Sequence, residues 1–210
     1  MSILNILAGR RSQSVPIFPL NAVLYPGALL PLRIFEVRYM DMAKDCMKRS
    51  SPFGVCLIVE GEEVGTPAAH QRVGCLARLC DVDMEELGVL KARAEGTERF
   101  RVVSSEVTKQ GLIVAEVEPL AAEADAVEAP GLAECGEFLR KAITGIGPER
   151  FREPFRFDDA TWVGFRLAEI LPLRSDVKQK LLELTDASLR LAVLHKFLKQ
   201  QGLLAMNRPE

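Results

Sequence analysis

The spacing of apolar residues in this chain changes at about residue 120, and no motif constrains the fold as much as that change. Before it, apolar residues come in short strand-like runs at 16–21, 28–32, 53–59, 73–82, 89–94, 99–107 and 112–117. The separators at 85–88, 95–97 and 109–111 are short, and short links between such runs predict antiparallel hairpins. Pro19 suits a strand edge or end, and Tyr25-Pro26-Gly27 reads as a turn, with proline presetting φ and glycine accepting a positive φ. One helix interrupts the strands. Val37, Met40, Ala43 and Met47 recur at helical spacing over 36–49, with Lys44, Lys48 and Arg49 expected outward. Residues 60–71 form a polar excursion, expected as a loop.

Beyond Pro119 the period becomes helical. An acidic, small-residue connector occupies 121–128. Pro130 then opens a helix whose Leu132, Cys135, Leu139, Ala142, Ile143 and Ile146 share a face. Asp158 and Asp159 can cap a second helix, and Ser175-Asp176 and Thr185-Asp186 begin two more. The expected architecture is α+β: a tail at 1–13, a β-rich, partly closed barrel with an inserted helix over 14–120, the connector at 121–128, and a helical bundle over 129–205.

Composition excludes some functions. The net charge is −2 over 210 residues, with lysines and arginines spread along the chain, so no concentrated positive face for nucleic acid is expected. Five scattered cysteines argue against a disulfide framework and for small core residues. The N-terminal apolar run precedes its arginines, the reverse of a secretory signal, and no later stretch approaches the ~20 apolar residues of a membrane span. A cytoplasmic location is expected.

The strings that carry chemistry are missing. There is no phosphate-binding loop ending in Lys-Ser or Lys-Thr, no His-Glu-x-x-His and no Gly-x-Ser-x-Gly. Gly145-Ile-Gly147-Pro-Glu-Arg lacks the third glycine of a dinucleotide fingerprint and follows a helix, so it reads as a loop between helices. His70 and His195 lie in different halves and read as solvated and structural side chains. Cys75 and Cys80 fall on opposite faces of a regular strand, which opposes a zinc site. Asp81-Val-Asp83-Met-Glu85-Glu86 lacks the central glycine and the distant glutamate of a calcium loop, and reads as a hairpin tip. No catalytic residue, metal site or cofactor is expected.

The opening segment, Pro16-Ile-Phe-Pro-Leu-Asn-Ala-Val-Leu-Tyr-Pro-Gly followed by Leu30-Pro-Leu-Arg-Ile-Phe-Glu-Val-Arg-Tyr, closely resembles the start of the N-terminal, substrate-binding domain of ATP-dependent Lon proteases. Val73-Gly74-Cys75, the stretch from Ala94 to Phe100, and Leu171-Pro172-Leu173 extend the likeness in the right order over roughly residues 14 to 200. The resemblance implies a PUA-like pseudobarrel followed by a helical bundle. In the proteases an ATPase module and a Ser-Lys peptidase domain follow; neither is recognisable in this sequence, so a stand-alone, non-enzymatic relative is expected. Within the shared motif, Pro19, Pro26 and Pro31 would fix backbone direction, and Leu20, Leu24 and Leu32 would fill the barrel. Gly74 and Gly96 would sit where a side chain clashes or φ is positive. Glu36, Arg38 and Arg99 are its polar members, with Glu36 or its neighbourhood expected to pair with Arg99 and tie the helix to the barrel.

The expected function is recognition of unfolded or exposed polypeptide segments, in quality control or proteolysis, with a protease or chaperone as partner. Leu24, Tyr25, Phe35 and Tyr39 are the candidate binding face; the alternative is that they pack the core and the helix junction. An RNA-binding role for a PUA-like barrel is the second reading, and a peptidase acting alone the third.

Overall fold

The computed structural model describes residues 12–86, 88–121, 123 and 129–204. Residues 1–11 of the expected tail, most of the connector, Leu87 of the first separator and the last residue of the expected helical segment lie outside the described residues. The chain divides into two compact units, Met1–Leu120 and Ala121–Glu210.

The first unit contains β1 (Gln13–Leu20), β2 (Leu29–Ile34), α1 (Val37–Arg49), β3 (Phe53–Glu60), β4 (Ala69–His70), β5 (Val73–Glu86), β6 (Val89–Val107) and β7 (Ile113–Pro119). Antiparallel pairs join β1 to β7, β7 to β6, β6 to β5 and β5 to β3, and a parallel β1–β3 pair brings the sheet back on itself. Closing the sheet in this way removes most of its edges. Alternate residues point inward, so Ile17, Leu76, Phe100, Val102, Ile113 and Val117 meet in one apolar cluster. At Gly74 any Cβ would overlap the Val55 carbonyl and lie 2.7 Å from both Cys56 Sγ and Phe100 Cζ.

Residues 95–97 were expected to separate two strands, and the structure corrects this: β6 runs unbroken for 19 residues. Leu90, Ala92 and Ala94 before Gly96 and Phe100 and Val102 after it are buried, while Glu98 is exposed and Arg99 buried where the register against β5 shifts, so the strand continues past Gly96 through an irregularity. Gly96 stays in the ladder because the chain leading into β2 takes the space of its missing side chain. Gly27 N–H donates to Gly96 O (2.7 Å) and Gly96 N–H donates to Ala28 O (2.9 Å). A Cβ on Gly96 would overlap the Tyr25 carbonyl oxygen. One edge of the long β6 therefore serves two strands in succession, β2 along residues 90–95 and β7 along 100–107.

The helix forms where the spacing placed it, but its buried stripe is shifted. Tyr39, Met42, Ala43 and Cys46 face inward, whereas Val37 and Met47 are exposed. The i, i+3, i+4, i+7 set that begins at Tyr39 wins because it contains an aromatic ring that stacks on Phe18 of β1, with centroids 4.2 Å apart.

The second unit holds α2 (Leu132–Ile146), a short 3₁₀ turn (Pro148–Arg150), α3 (Ala160–Ile170), α4 (Ser175–Glu183) and α5 (Ala187–Gln200). Asp159 caps α3 by accepting from the Thr161 and Trp162 N–H groups, and Asp186 caps α5 by accepting from Leu189 N–H. The apolar α3 packs against α2, α4 and α5. Arg190 of α5 is fully buried. It donates to the Leu181 and Leu184 carbonyls, stacks over Phe165 and is paired with the buried carboxylate of Glu123. Of the five cysteines, Cys46, Cys56, Cys75 and Cys135 are buried as core residues, but Cys80 is exposed, its thiol donating to the Arg93 carbonyl.

Candidate functional site

Of the four residues expected to form one binding face, the fold brings Phe35 and Tyr39 to one groove and leaves Leu24 and Tyr25 out of its lining. Leu24, Tyr25 and Tyr39 are buried, and Tyr25 has no exposed surface at all. Tyr25 packs where the chain enters β2, so it cannot present its ring to a partner. Phe35 is different: it is 53% exposed, at the end of β2 just before α1. Leaving a phenylalanine half in water forfeits much of its transfer free energy, so a cluster of such residues marks a surface for binding.

Phe35 stands at one end of a groove of about 360 Å³. The floor is made by Phe18 and Leu20 of β1 and by the buried ring of Tyr39. One wall is β2, from Leu30 to Ile34. The opposite rim is Val64, 52% exposed, on the loop that joins β3 to β4. A volume of this order accommodates a few side chains. Phe35 and Glu36 are shared with a second hollow, beyond the groove, lined also by Val37, Pro67 and Lys109.

Two carboxylates fix the loop that carries Val64. Glu63 accepts from Asn21 N–H at 2.6 Å, and Glu36 accepts from Gly65 N–H at 3.4 Å. Glu36 was expected to pair with Arg99; its carboxylate is instead held by Arg38, at 2.9 Å. Arg38 is itself buried. Its guanidinium lies 4.7 Å from the centre of the Tyr39 ring and donates to the Gly111 carbonyl at 2.9 Å, in the β6–β7 turn. The pair thus joins the start of α1 to one loop and one turn of the sheet. Arg99 is buried in β6 opposite Cys75, and its carbonyl accepts from Leu120 N–H. Burial pushes the Tyr39 phenol above its ordinary range; Arg38 opposes the shift and Glu36 adds to it. The Tyr39 ring therefore presents a neutral, apolar surface to the groove at neutral pH.

Other members of the motif support the groove from behind. Leu20 and Leu32 are buried beside it, Pro19 lies in the β1–β3 pair, Pro31 lies on β2, and Pro26 and Gly27 form the turn that leads into β2. Phe18 and Val64 were not identified from the sequence. Phe18 lies inside the quoted motif, where nothing distinguishes it from its strand neighbours. Val64 carried a usable signal, being a lone large apolar side chain within a polar excursion. His70 Nδ1–H donates to the Gln71 carbonyl, and His195 pairs with Glu134 of α2. No group of three or more His, Cys, Asp or Glu side chains that could hold a metal occurs among the described residues. No helix among them is long and apolar enough to cross a membrane.

A β-rich sheet with one inserted helix, followed by helices and carrying an apolar groove, defines a binding domain. Residues 14–200 match the ATP-dependent protease La (LON) substrate-binding domain, and the chain belongs to that family. It is similar to a Lon N-terminal domain protein from Xanthomonas campestris, with 37% identity, a TM-score of 0.73, and coverage of 88% of this chain and 98% of that one. The N-terminal domain of the Mycobacterium avium complex Lon protease shares the fold at 20% identity and a TM-score of 0.63, covering 89% of this chain and 98% of that one. Lon protease 2 of Myxococcus xanthus is 27% identical over an alignment of 206 positions that covers 90% of this chain. The chain spans about a quarter of the length of that relative.

Proposed function

We propose that this protein is a non-enzymatic polypeptide-recognition module. It binds apolar segments of unfolded or partly folded chains and presents or holds them for proteolysis or quality control in the cytoplasm. On this reading the closed sheet acts as a PUA-like barrel that carries the binding surface, and the helices form a bundle of their own. The observation that carries the proposal is the groove between β2 and the Val64 loop, where Phe35 and Val64 are each about half exposed on a chain of the Lon substrate-binding family.

The test is fluorescence anisotropy of a labelled, permanently unfolded polypeptide titrated with wild-type protein, Phe35→Ala and Val64→Ser. Each exposed side chain contributes about 1 kcal/mol of contact, so each substitution weakens binding about fivefold. Because both residues are half exposed, their melting temperatures stay within a few degrees of wild type. Unchanged affinity in both variants would remove the groove as the site. Saturable binding of single-stranded RNA that disappears as salt rises, with none to polypeptide, would replace the proposal with the nucleic-acid reading.

A further inference from the structure

β2 has one edge in the sheet and one outside it. Its pairing partner in the sheet is β6, in the register Leu30↔Ala94, Leu32↔Ala92 and Ile34↔Leu90. Gly96 N–H donates to Ala28 O, so Ala28 turns its carbonyl toward β6, while its N–H donates to the Tyr25 carbonyl within the turn. The two-residue period of a strand then turns Leu30, Leu32 and Ile34 toward β6 as well, and Leu29, Pro31 and Arg33 outward. Pro31 therefore takes no hydrogen bond from the β6 ladder, because its missing N–H falls on the outer edge. That edge offers three carbonyls but only two N–H groups, and it forms the wall of the groove.

We propose that the groove takes its polypeptide as an added strand on the outer edge of β2, with Pro31 setting the register. This rests on the polypeptide-recognition reading above and specifies its substrate class: an extended segment with apolar side chains at alternate positions. An unsatisfied strand edge is complementary to another extended backbone; a helix satisfies its own amides and offers nothing to pair with it. In an added strand every second side chain points to the groove face, where Phe18, Tyr39 and Val64 wait. The intervening side chains point to the opposite face, with the exposed Pro31 and Arg33. At Leu29 and Arg33 the substrate both donates and accepts; at Pro31 it can only donate. Two copies of this chain cannot exploit the same edge equally well, since a symmetric pairing centred on Pro31 would lack two donors. The proline thus disfavours self-association and leaves enough hydrogen bonds for a substrate.

The experiment uses the full chain and a labelled ten-residue peptide alternating leucine with serine, alongside two N-methylated versions. One version is methylated at the leucines and the other at the serines. Amides alternate sides along a strand, so strand addition predicts that one version loses binding at least tenfold and the other stays within about threefold. Loss with the serine set means antiparallel addition, and loss with the leucine set means parallel addition. Equal effects of both sets overturn strand addition, whether both bind or neither does, and binding of the parent peptide keeps the polypeptide reading intact. Failure of both the parent peptide and the unfolded polypeptide to bind would remove the underlying reading instead. Pro31→Ala restores the missing donor and tightens the parent peptide about fivefold, the worth of one net backbone hydrogen bond. Unchanged or weaker binding by that variant overturns the role given to Pro31.

Discussion

Replacing Gly96 by alanine tests the link between the fold and the groove most directly. The added methyl would overlap the Tyr25 carbonyl oxygen and would also sit 3.1 Å from Leu24 Cγ. Neither neighbour can easily yield: Tyr25 is fully buried, and its backbone belongs to the turn that Gly27 and Ala28 lock onto β6. Relief requires the turn to move away from β6. That movement weakens the bonds of Gly27 N–H to Gly96 O (2.7 Å) and of Gly96 N–H to Ala28 O (2.9 Å). Two net backbone hydrogen bonds contribute about 2 kcal/mol, and residual overpacking adds about 1–3 kcal/mol. A loss of roughly 3–5 kcal/mol at about 4 °C per kcal/mol lowers the melting temperature by about 10–20 °C. Scanning calorimetry measures it, and the transition that shifts is the one belonging to the β-rich unit. A change of less than about 3 °C would refute the claim that Gly96 is required by close approach of the Tyr25 backbone.

Three further outcomes are expected. Arg190→Met leaves the buried Glu123 carboxylate without its guanidinium and destabilises the helical unit by about 3–5 kcal/mol, whereas replacing both residues with methionine recovers most of the loss; urea melts of the two variants measure this. A thiol reagent modifies Cys80 alone in the native protein and all five cysteines in denaturant, because burial raises the Cys56 and Cys135 thiols, the latter to about 12; mass spectrometry counts the adducts. The hydrogen bond from His195, helped by Lys199, holds the Glu134 carboxyl below its usual range. A depressed carboxyl stabilises the fold above its unfolded value of about 4.3 and loses that contribution as pH falls through the folded value. Glu134→Gln therefore flattens the acid side of the stability–pH curve, and an unchanged curve would contradict the assignment.

The order and type of the elements were legible because they depend on local signals. Alternation marked the strands, and Asp159 and Asp186 marked helix starts at the positions where they cap. What the sequence misstated depends on contacts between distant segments. Glu95-Gly96-Thr97 looks like a turn in isolation, yet the Tyr25 backbone keeps Gly96 extended within one long strand. Val37 and Met47 looked like core positions of α1, but the stacking of Tyr39 on Phe18 turns the helix by about one residue and leaves both exposed. The Glu36 partner was misjudged for the opposite reason: Arg38 is two residues away, and α1 begins between them. Leu24, Tyr25 and Tyr39 shared the aromatic and aliphatic character expected of a binding face, a character that also suits a core. Only the accessible surface of the folded chain separates them from Phe35.

The same contacts explain why a motif of mostly buried residues belongs to a binding domain. The β2 wall is fixed at its start by the Gly27–Gly96–Ala28 bonds and at its end by Arg38, which joins Glu36 to the Gly111 turn. Glu36 and Glu63 then hold the facing loop that carries Val64. A groove built this way is ordered before a ligand arrives, so little of the binding free energy goes into arranging its walls. Substitutions behind the groove should consequently weaken binding by loosening a wall without removing a contact. Arg38→Ala illustrates the distinction from Phe35→Ala. It removes no contact made in the groove, yet it releases Glu36 and the Gly111 turn together, so its effect on affinity falls when added osmolyte favours the compact, ordered arrangement of the groove walls. The effect of Phe35→Ala, which removes the contact itself, does not.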